Sequence, residues 1–143
     1  MLQQLKRWKL WLGATLTLFA LGLTFSWWQE RMGVGYLFDL NTVPWSVSSA
    51  DCASLGFTDT LVTCAFEIDP SDFPKLLVSE PYTLEETPYY KHAHDHPMSE
   101  NKGPNFEVAW HYLGKPKDAP NGGSIDVLAD KEKRHLLAHL YIE

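Results

Sequence analysis

The chain has 143 residues, of which 45% are hydrophobic and 21% charged, and it carries a formal net charge of −6. This acidic balance excludes nucleic acid and an anionic bilayer surface as the main partner, because both attract basic proteins. The sequence contains no internal repeat and no low-complexity tract. Its length allows one small domain with its own core, beyond any targeting segment.

The first feature along the chain is an uncharged, largely apolar run over residues 10–28. Lys6, Arg7 and Lys9 precede it, and tryptophans lie at both of its ends. At about 1.5 Å per residue the run is roughly 28 Å long, which matches a hydrocarbon core of about 30 Å. Tryptophan is typical of the two water–lipid interfaces. We therefore predict a transmembrane helix over 10–28, with residues 1–9 as a basic cytoplasmic tail.

The charges that flank this run predict its orientation. Three basic residues precede it and only Arg31 follows closely, so the positive-inside rule leaves the N-terminus in the cytoplasm. The prediction is a single-pass signal anchor in the inner (plasma) membrane, with the C-terminal domain in the periplasm or outside the cell. A cleaved signal peptide is the alternative, although the run is longer than a usual signal sequence and ends in bulky residues.

Residues 29–143 hold nine basic and eighteen acidic side chains. We expect a linker over 29–44, which glycine and proline punctuate, and an exported soluble domain over 45–143. The two cysteines, Cys52 and Cys64, lie where thiols are usually oxidised. They predict a disulfide that closes a short ring and adds roughly 3 kcal/mol to the free energy of unfolding. The alternative, a redox or metal pair, lacks the Cys-x-x-Cys spacing.

Four segments of the domain alternate with the period of two that is typical of half-buried strands: 61–68, 106–112, 125–129 and 135–142. The last of these also fits one face of a helix, but a closing hairpin is favoured. Asp69 and Pro70 form a helix-start signature that predicts a short helix to about Ser79. Prolines make 80–104 a long loop. The predicted fold class is α+β, with an antiparallel sheet of about four strands and one short helix.

Three histidines alternate inside that loop, at His92, His94 and His96. In an extended segment their imidazoles would lie on one side of the chain, and neutral imidazole suits Zn or Cu. This density predicts a transition-metal site, whereas the alternative is that the histidines are ordinary polar residues of a loop. His135 and His139 would lie about 13 Å apart in a strand, too far to chelate one ion together.

The sequence contains no recognisable pattern of a nucleophile with an oriented base. Enzyme activity is therefore disfavoured but left open, and we assign no catalytic residue. By elimination we predict a membrane-anchored protein-interaction module with a protein partner in the envelope. Tyr82, Tyr89 and Tyr90 are the candidate interaction surface, since aromatic side chains give much contact at little entropic cost. Packing of these tyrosines against the sheet is the alternative. Metal binding through the histidine loop is the second functional hypothesis, and an unrecognised hydrolase is the third.

Overall fold

The computed structural model describes residues 2–56, 59–117, 119 and 121–143, with side chains described from Thr15 onward within these ranges. The chain begins with one helix, α1, over Leu2–Leu37. Six strands follow: β1 Ser48–Gly56, β2 Thr60–Glu67, β3 Thr83–Leu84, β4 Trp110–Gly114, β5 Gly123–Ala129 and β6 His135–Ile142. A 3-10 helix, Phe73–Val78, lies between β2 and β3, and a short 3-10 turn, Ala93–Asp95, lies between β3 and β4.

The strands form one antiparallel sheet in the order β1-β2-β6-β5-β4-β3. Successive side chains of a strand point to opposite faces, so the sheet has two separate surfaces to cover. The end of α1 and the 3-10 helix cover one surface, called the helix face below. Residues 85–109, called the cover below, lie on the other surface, called the loop face.

The helix face holds the larger core. Leu37 and Phe38 at the end of α1 are buried against the strands, and the Phe38 ring meets Phe66 of β2 edge to face with centroids 6.1 Å apart. Phe73 and Leu76 of the 3-10 helix complete this core. Each large apolar side chain buried in this way contributes roughly 1.5–3 kcal/mol. The core therefore fixes the C-terminal turns of α1 on the sheet.

The Cys52–Cys64 disulfide is confirmed. The two cysteines lie directly opposite each other on β1 and β2, so the bond ties the edge strand to its neighbour. Gly33 of α1 packs over the bridge, and a Cβ at that position would lie 2.7 Å from the Cys52 sulfur. The absence of a side chain at Gly33 thus lets the helix approach the disulfide.

The loop face carries a smaller apolar cluster. Ala65, Leu128 and Leu137 of the sheet meet Ala93 and Val108 of the cover, and all five are buried. The cover is also paired with itself, because the amide of Ala93 donates to the carbonyl of Phe106 and the amide of Val108 donates to that of Lys91, both at 2.9 Å. The cover is therefore a folded segment that packs on the sheet, and it makes few apolar contacts there.

The prediction of about four strands is wrong, since the sheet has six. The strands predicted from alternation are present as β2, β4, β5 and β6, although β4 begins at Trp110 and not at 106. The prediction missed β1, which is largely exposed and rich in serine, and β3, which has two residues. The sequence of an exposed edge strand does not have to alternate between apolar and polar residues, so the pattern that indicates the other strands is missing in β1.

The prediction of a membrane-spanning helix over 10–28 is wrong. Within the described part of the chain, whose side chains begin at Thr15, no helix combines the length and the apolarity needed to cross a bilayer. Between Thr15, where the described side chains begin, and the charged pair Glu30 and Arg31, the helix has fifteen uncharged residues. At about 1.5 Å per residue they span roughly 22 Å, which is shorter than a hydrocarbon core of about 30 Å. Two predictions that depended on this helix are also wrong: the integral membrane partnership, and the single-pass inner-membrane topology with a cytoplasmic N-terminus. The disulfide is compatible with export.

Two further segments differ from the sequence prediction. The expected linker over 29–44 contains the last turns of α1, which continue to Leu37 because Val34 and Leu37 pack into the core. The expected helix after Pro70 is a 3-10 helix that begins at Phe73. The side chains of the predicted basic tail, and those of residues 10–14, lie outside the described residues.

Candidate functional site

The part of α1 that precedes the core contact is largely exposed. All fifteen residues from Thr15 to Gln29, called the projecting helix below, are exposed, and the contact of this segment with Trp45 is made at its base, by Trp27. Eight of them have large apolar side chains, with exposed fractions between 40% and 69%: Leu16, Leu18, Phe19, Leu21, Leu23, Phe25, Trp27 and Trp28. A helix that is apolar all round is ordinarily a buried helix.

The projecting helix has little polar chemistry of its own to offer a ligand. It contains no charged residue, and the hydroxyl of Thr24 donates back to the carbonyl of Leu21 at 2.9 Å. A Cβ built on Gly22 would meet no atom within 4 Å, so the backbone is open to close approach there. The surface is therefore suited to apolar contact.

Arg31 fixes the base of the projecting helix. Its guanidinium donates to the carbonyls of Val43 and Pro44 at 2.7 and 2.8 Å, and to those of Trp45 and Val47 at 3.3 and 3.2 Å. Four carbonyls of the segment after α1 thus converge on one cation, and hydrogen bonds to a charged donor are stronger than those to a neutral one. The arginine holds this segment against the helix.

The same guanidinium stacks on two indole rings. Its central carbon lies 4.6 Å from the Trp27 ring centroid and 5.3 Å from that of Trp45, and the two rings stack at 5.6 Å. Partial burial lowers the pKa of Arg31, but an arginine stays charged at any physiological pH. The four carbonyls and the two indole rings already contact the Arg31 guanidinium. The arrangement, called the clamp below, is therefore structural and is poorly suited to bind an additional anion.

A cavity of about 550 Å³ lies beside this clamp. Its walls include Trp28, Met32, Tyr36 and Trp45, whose side chains are 58–79% exposed, and it continues the apolar surface of the projecting helix. Concave aromatic surfaces of this size are suited to apolar groups. A molecule that covers the projecting helix would therefore find a recess at its base.

The structure places the three predicted metal ligands in different surroundings. His92 lies at the surface, with its Nδ1 3.5 Å from the Asp95 carboxylate. The Nε2 of His94 lies 3.2 Å from the carbonyl of Gly103. His96 is buried, with its Nδ1 accepting from the amide of Met98 at 3.1 Å. The 3-10 turn over Ala93–Asp95 replaces the extended backbone that the alternation assumed, so the three rings do not share one side.

The predicted tyrosine surface is also divided. Tyr89 is 84% exposed and meets Tyr90 edge to face. Tyr90 is partly buried, with its ring 4.6 Å from that of His96. Tyr82 packs over Gly114, where a Cβ would lie 2.7 Å from the tyrosine ring, and burial raises the pKa of Tyr82. Of the three, Tyr89 alone presents most of its ring to solvent.

A group of polar side chains lies between the cover and the loop face. No pattern in the sequence predicted that these side chains lie together. It is called the histidine cluster below and consists of Thr63, Tyr90, His96, His111, Asp126 and His139. The three imidazoles are between 3% and 7% exposed. A substrate has no access to rings buried to this degree, so the cluster is not an active site in this conformation.

The hydrogen bonds of the histidine cluster assign its tautomers. Thr63 donates its single hydroxyl hydrogen to the carbonyl of Met98 at 3.2 Å, so it accepts at 3.0 Å from Nδ1–H of His139. Nε2 of His139 then carries a lone pair, and it is buried without a partner. His111 likewise donates from Nε2 to the Asp126 carboxylate at 3.0 Å, which leaves its buried Nδ1 without a partner.

His96 and His139 stack on each other. Their ring centroids lie 3.9 Å apart and their planes differ by 10°. Burial lowers the pKa of His96, and burial together with the proximity of His96 lowers that of His139 to about 3. Both rings are therefore neutral near pH 7.

This stacking does not favour a metal site. The lone pair of an imidazole lies in the plane of its ring, and the two ring planes are stacked nearly parallel with centroids 3.9 Å apart, so the two lone pairs do not converge on one ion at about 2.1 Å. Across the residues that the structure describes, no group of three or more His, Cys, Asp or Glu side chains is placed to hold a metal ion. Metal binding through His92, His94 and His96 stays a prediction without a supporting arrangement.

A signal for the cluster was present in the strand patterns. His111 and Asp126 fall on the less apolar face of their strands, and His139 falls on that same face of β6, directly opposite both Thr63 and Asp126. Alternation assigns each residue to a face, but it does not give the order of strands in the sheet. The neighbours β2, β6 and β5 are brought together only by the tertiary fold.

Comparison with known proteins finds no matching family model, no similar curated protein and no similar solved structure.

Proposed function

We propose that this chain is a protein-interaction module that self-associates, with the projecting helices of several copies packed together as a helix bundle. The observation that supports this function is the exposure of every residue from Thr15 to Gln29 in an apolar helix without charge. Such a surface is unfavourable in water, and a contiguous exposed apolar patch is typical of an interaction site.

A helix bundle suits this surface better than a single flat contact. At about 1.5 Å per residue the projecting helix is roughly 22 Å long, and its apolar side chains lie all round the axis. One neighbour covers one side only, so covering the whole circumference requires more than one helix. Copies of this chain supply such helices in equal number, and closed symmetric assemblies of identical chains are the commonest oligomers.

The size of the apolar surface favours association. Full burial of a large apolar side chain contributes roughly 1.5–3 kcal/mol, so eight half-exposed side chains contribute on the order of 6–12 kcal/mol per helix. Association costs about 4–15 kcal/mol in lost translational and rotational freedom. Covering all sides of the helix exceeds the lower part of this cost, whereas covering one side contributes only about half as much. The projecting helix carries no charge, so it adds no repulsion between parallel copies.

Sedimentation equilibrium of the full chain without detergent tests the proposal, and we expect an oligomer. Glutamate at both Leu18 and Phe25, which lie seven residues apart on one side of the helix, should shift the chain to a monomer, because the bundle would have to bury two charges per copy. The matched control places glutamate at Val78 and Tyr89, which are 73% and 84% exposed outside the projecting helix. This control should remain oligomeric.

Three results would overturn the proposal. A monomeric wild type would show that the projecting helix is not covered by copies of itself. Dissociation by the Val78 and Tyr89 control would place the contact elsewhere, including at the tyrosine surface predicted from the sequence. Co-sedimentation of a monomeric chain with phosphatidylcholine vesicles, abolished by the Leu18 and Phe25 substitutions, would assign the apolar surface to lipid. The hydrolase hypothesis has no supporting observation among the described residues.

A further inference from the structure

We propose that the cover, residues 85–109, is an acid-released flap, which separates from the loop face when His96 and His139 take up protons. The inference is independent of the self-association proposed above, because it concerns the opposite side of the sheet from the end of α1. Its basis is the geometry of the histidine cluster, which lies at the boundary between cover and sheet.

Few interactions hold the cover on the sheet. Two backbone hydrogen bonds of 2.9 Å join its ends to the strands, from the amide of Glu85 to the carbonyl of His111 and from the amide of Ala109 to that of Ala129. Between these ends, the hydroxyl of Thr63 donates to the carbonyl of Met98 at 3.2 Å. A 2.8 Å ion pair joins Lys102 to Asp51, whose carboxylate is half exposed. Exposed ion pairs contribute little, so the apolar cluster and the stacked imidazoles supply most of the attachment.

The stacked pair crosses this boundary. His96 belongs to the cover and His139 to β6, and their rings lie 3.9 Å apart. While both rings are neutral, the stack is an attractive aromatic contact. When both are protonated, two like charges face each other in a buried site, and the stack becomes repulsive.

The other ionisable groups of the cluster do not neutralise that charge. Tyr90 of the cover faces both His96 and His111, and a neutral phenol supplies no counter-charge. Asp126 of β5 is the acidic group nearest the stack, and its Oδ1 already accepts from His111 of β4. Its charge favours protonation of His96 and His139, but burial outweighs it at both rings. The remaining neighbour, Thr63 of β2, is not ionisable.

The direction of the pH dependence follows from these pKa shifts. The pKa of His139 is about 3 in the closed state, and that of His96 is also lowered, whereas a solvent-exposed histidine has a pKa near 6.5. The open state therefore binds more protons than the closed state at any pH between these values. Opening becomes more favourable as the pH falls below about 6.5, by up to roughly tenfold per pH unit for each histidine, and the gain for His139 ends near its closed-state value.

Hydrogen exchange of the full chain, corrected for the intrinsic pH dependence of exchange, tests this inference. The amides of Glu85 and Ala109 report the two ends of the cover, where it joins β3 and β4, and the amide of Ile68, which donates to the carbonyl of Arg134 at 2.9 Å, reports the sheet. Between about pH 7 and pH 5 we expect protection of the first two amides to fall at least tenfold. Protection of Ile68 should change much less.

Matched variants separate the histidine pair from other acid effects. The double variant His96→Phe with His139→Gln keeps a ring in the stack and a donor for Thr63, and removes both titrating groups. It should lose the pH dependence at Glu85 and Ala109. The control His92→Gln changes a half-exposed histidine of the same cover. This control should retain the pH dependence at Glu85 and Ala109.

The inference is overturned if protection of Glu85 and Ala109 is the same at both pH values, or if the double variant keeps the wild-type pH dependence. An NMR titration of wild-type His139 gives a measurement that does not depend on how the variant folds. Titration of His139 near pH 6.5 while both cover amides stay protected would also overturn the inference, because the ring would then charge without opening.

Discussion

The two faces of the sheet are built by different chemistry. The helix face is covered by apolar side chains, with Leu37 and Phe38 buried to 1% exposure or less, and a disulfide lies beneath the helix. The loop face is covered by a segment whose contact with the sheet includes three buried imidazoles and two buried ring nitrogens without partners. The first arrangement is indifferent to pH, whereas the second depends on His96 and His139 staying neutral.

This difference assigns separate tasks to the two faces. A continuous apolar core with a covalent tie is suited to hold the fold and the orientation of α1. A buried polar cluster with unpartnered nitrogens stabilises less than an apolar cluster of equal size, because each such nitrogen retains a desolvation cost of about 1–3 kcal/mol. The loop face is therefore the part of the domain that opens first.

The largest effect is expected from a cavity in the helix face. Phe38→Ala removes a fully buried ring and its edge-to-face contact with Phe66, so the free energy of unfolding should fall by about 3–5 kcal/mol. The counterpart on the loop face is Phe106→Ala, which removes a partly buried ring of the cover and should cost about 1–2 kcal/mol. Urea denaturation measures both, and equal costs would contradict the distinction between the faces.

Loss of the disulfide should rank second. Replacing Cys52 and Cys64 with alanine opens the ring between β1 and β2, and the chain-entropy relation gives a cost of about 3 kcal/mol for a separation of 12 residues. Reduction of the wild type by excess thiol should lower the urea midpoint by a similar amount. A pH-dependent protection of the cover amides that vanished with the disulfide would contradict the independence of the two faces.

The Arg31 clamp should rank third. Arg31→Met keeps an apolar stem between the indole rings but removes four hydrogen bonds to carbonyls, and we expect a cost of about 2 kcal/mol in thermal or urea unfolding. Arg31→Lys retains the charge without the planar fork and should restore less than half of that cost. Full restoration by lysine would show that charge alone, and not the geometry of the fork, holds residues 43–47.

The sequence predicts the interior of the sheet well and its edges poorly. β2 and β6 are flanked by strands on both sides and covered on both faces, so each has five consecutive buried residues. The period of two in 61–68 and 135–142 comes from the amino-acid types, because the residues on the helix face are apolar whereas those on the loop face include Thr63 and His139. The disulfide follows from composition because the chain has only two cysteines. The edge strand β1 exposes residues on both of its faces, so its sequence has no period to detect.

The histidine cluster is not predictable from local pattern for a different reason. His96 and His139 are 43 positions apart in the sequence, and their contact depends on how the cover folds back on itself. The alternation at His92, His94 and His96 predicts a shared side only for an extended backbone. Asp95 accepts from the amide of His92 and closes a 3-10 turn, which directs the three imidazoles apart. Local hydrogen bonding of this kind is not visible in the alternation of residue types, so the pattern alone does not give the positions of the three side chains.

The smallest effect is expected at a second cation between aromatic rings, on the helix face. The Lys133 amine, from the turn between β5 and β6, lies 4.4 Å from the Trp110 ring, 5.1 Å from Phe73 and 5.6 Å from Tyr112. Lys133→Met keeps the length and the positive φ but removes the charge, so unfolding should become easier by about 0.5–1 kcal/mol. The control is Lys131→Met in the same turn, which should have almost no effect because Trp110 donates to the backbone carbonyl of Lys131 and not to its side chain.

Raised salt should weaken the Lys133 contribution only slightly, because the charge lies between rings and not in open solvent. A salt-sensitive loss, or an equal loss from both variants, would indicate that the net charge of the turn matters and that the rings do not.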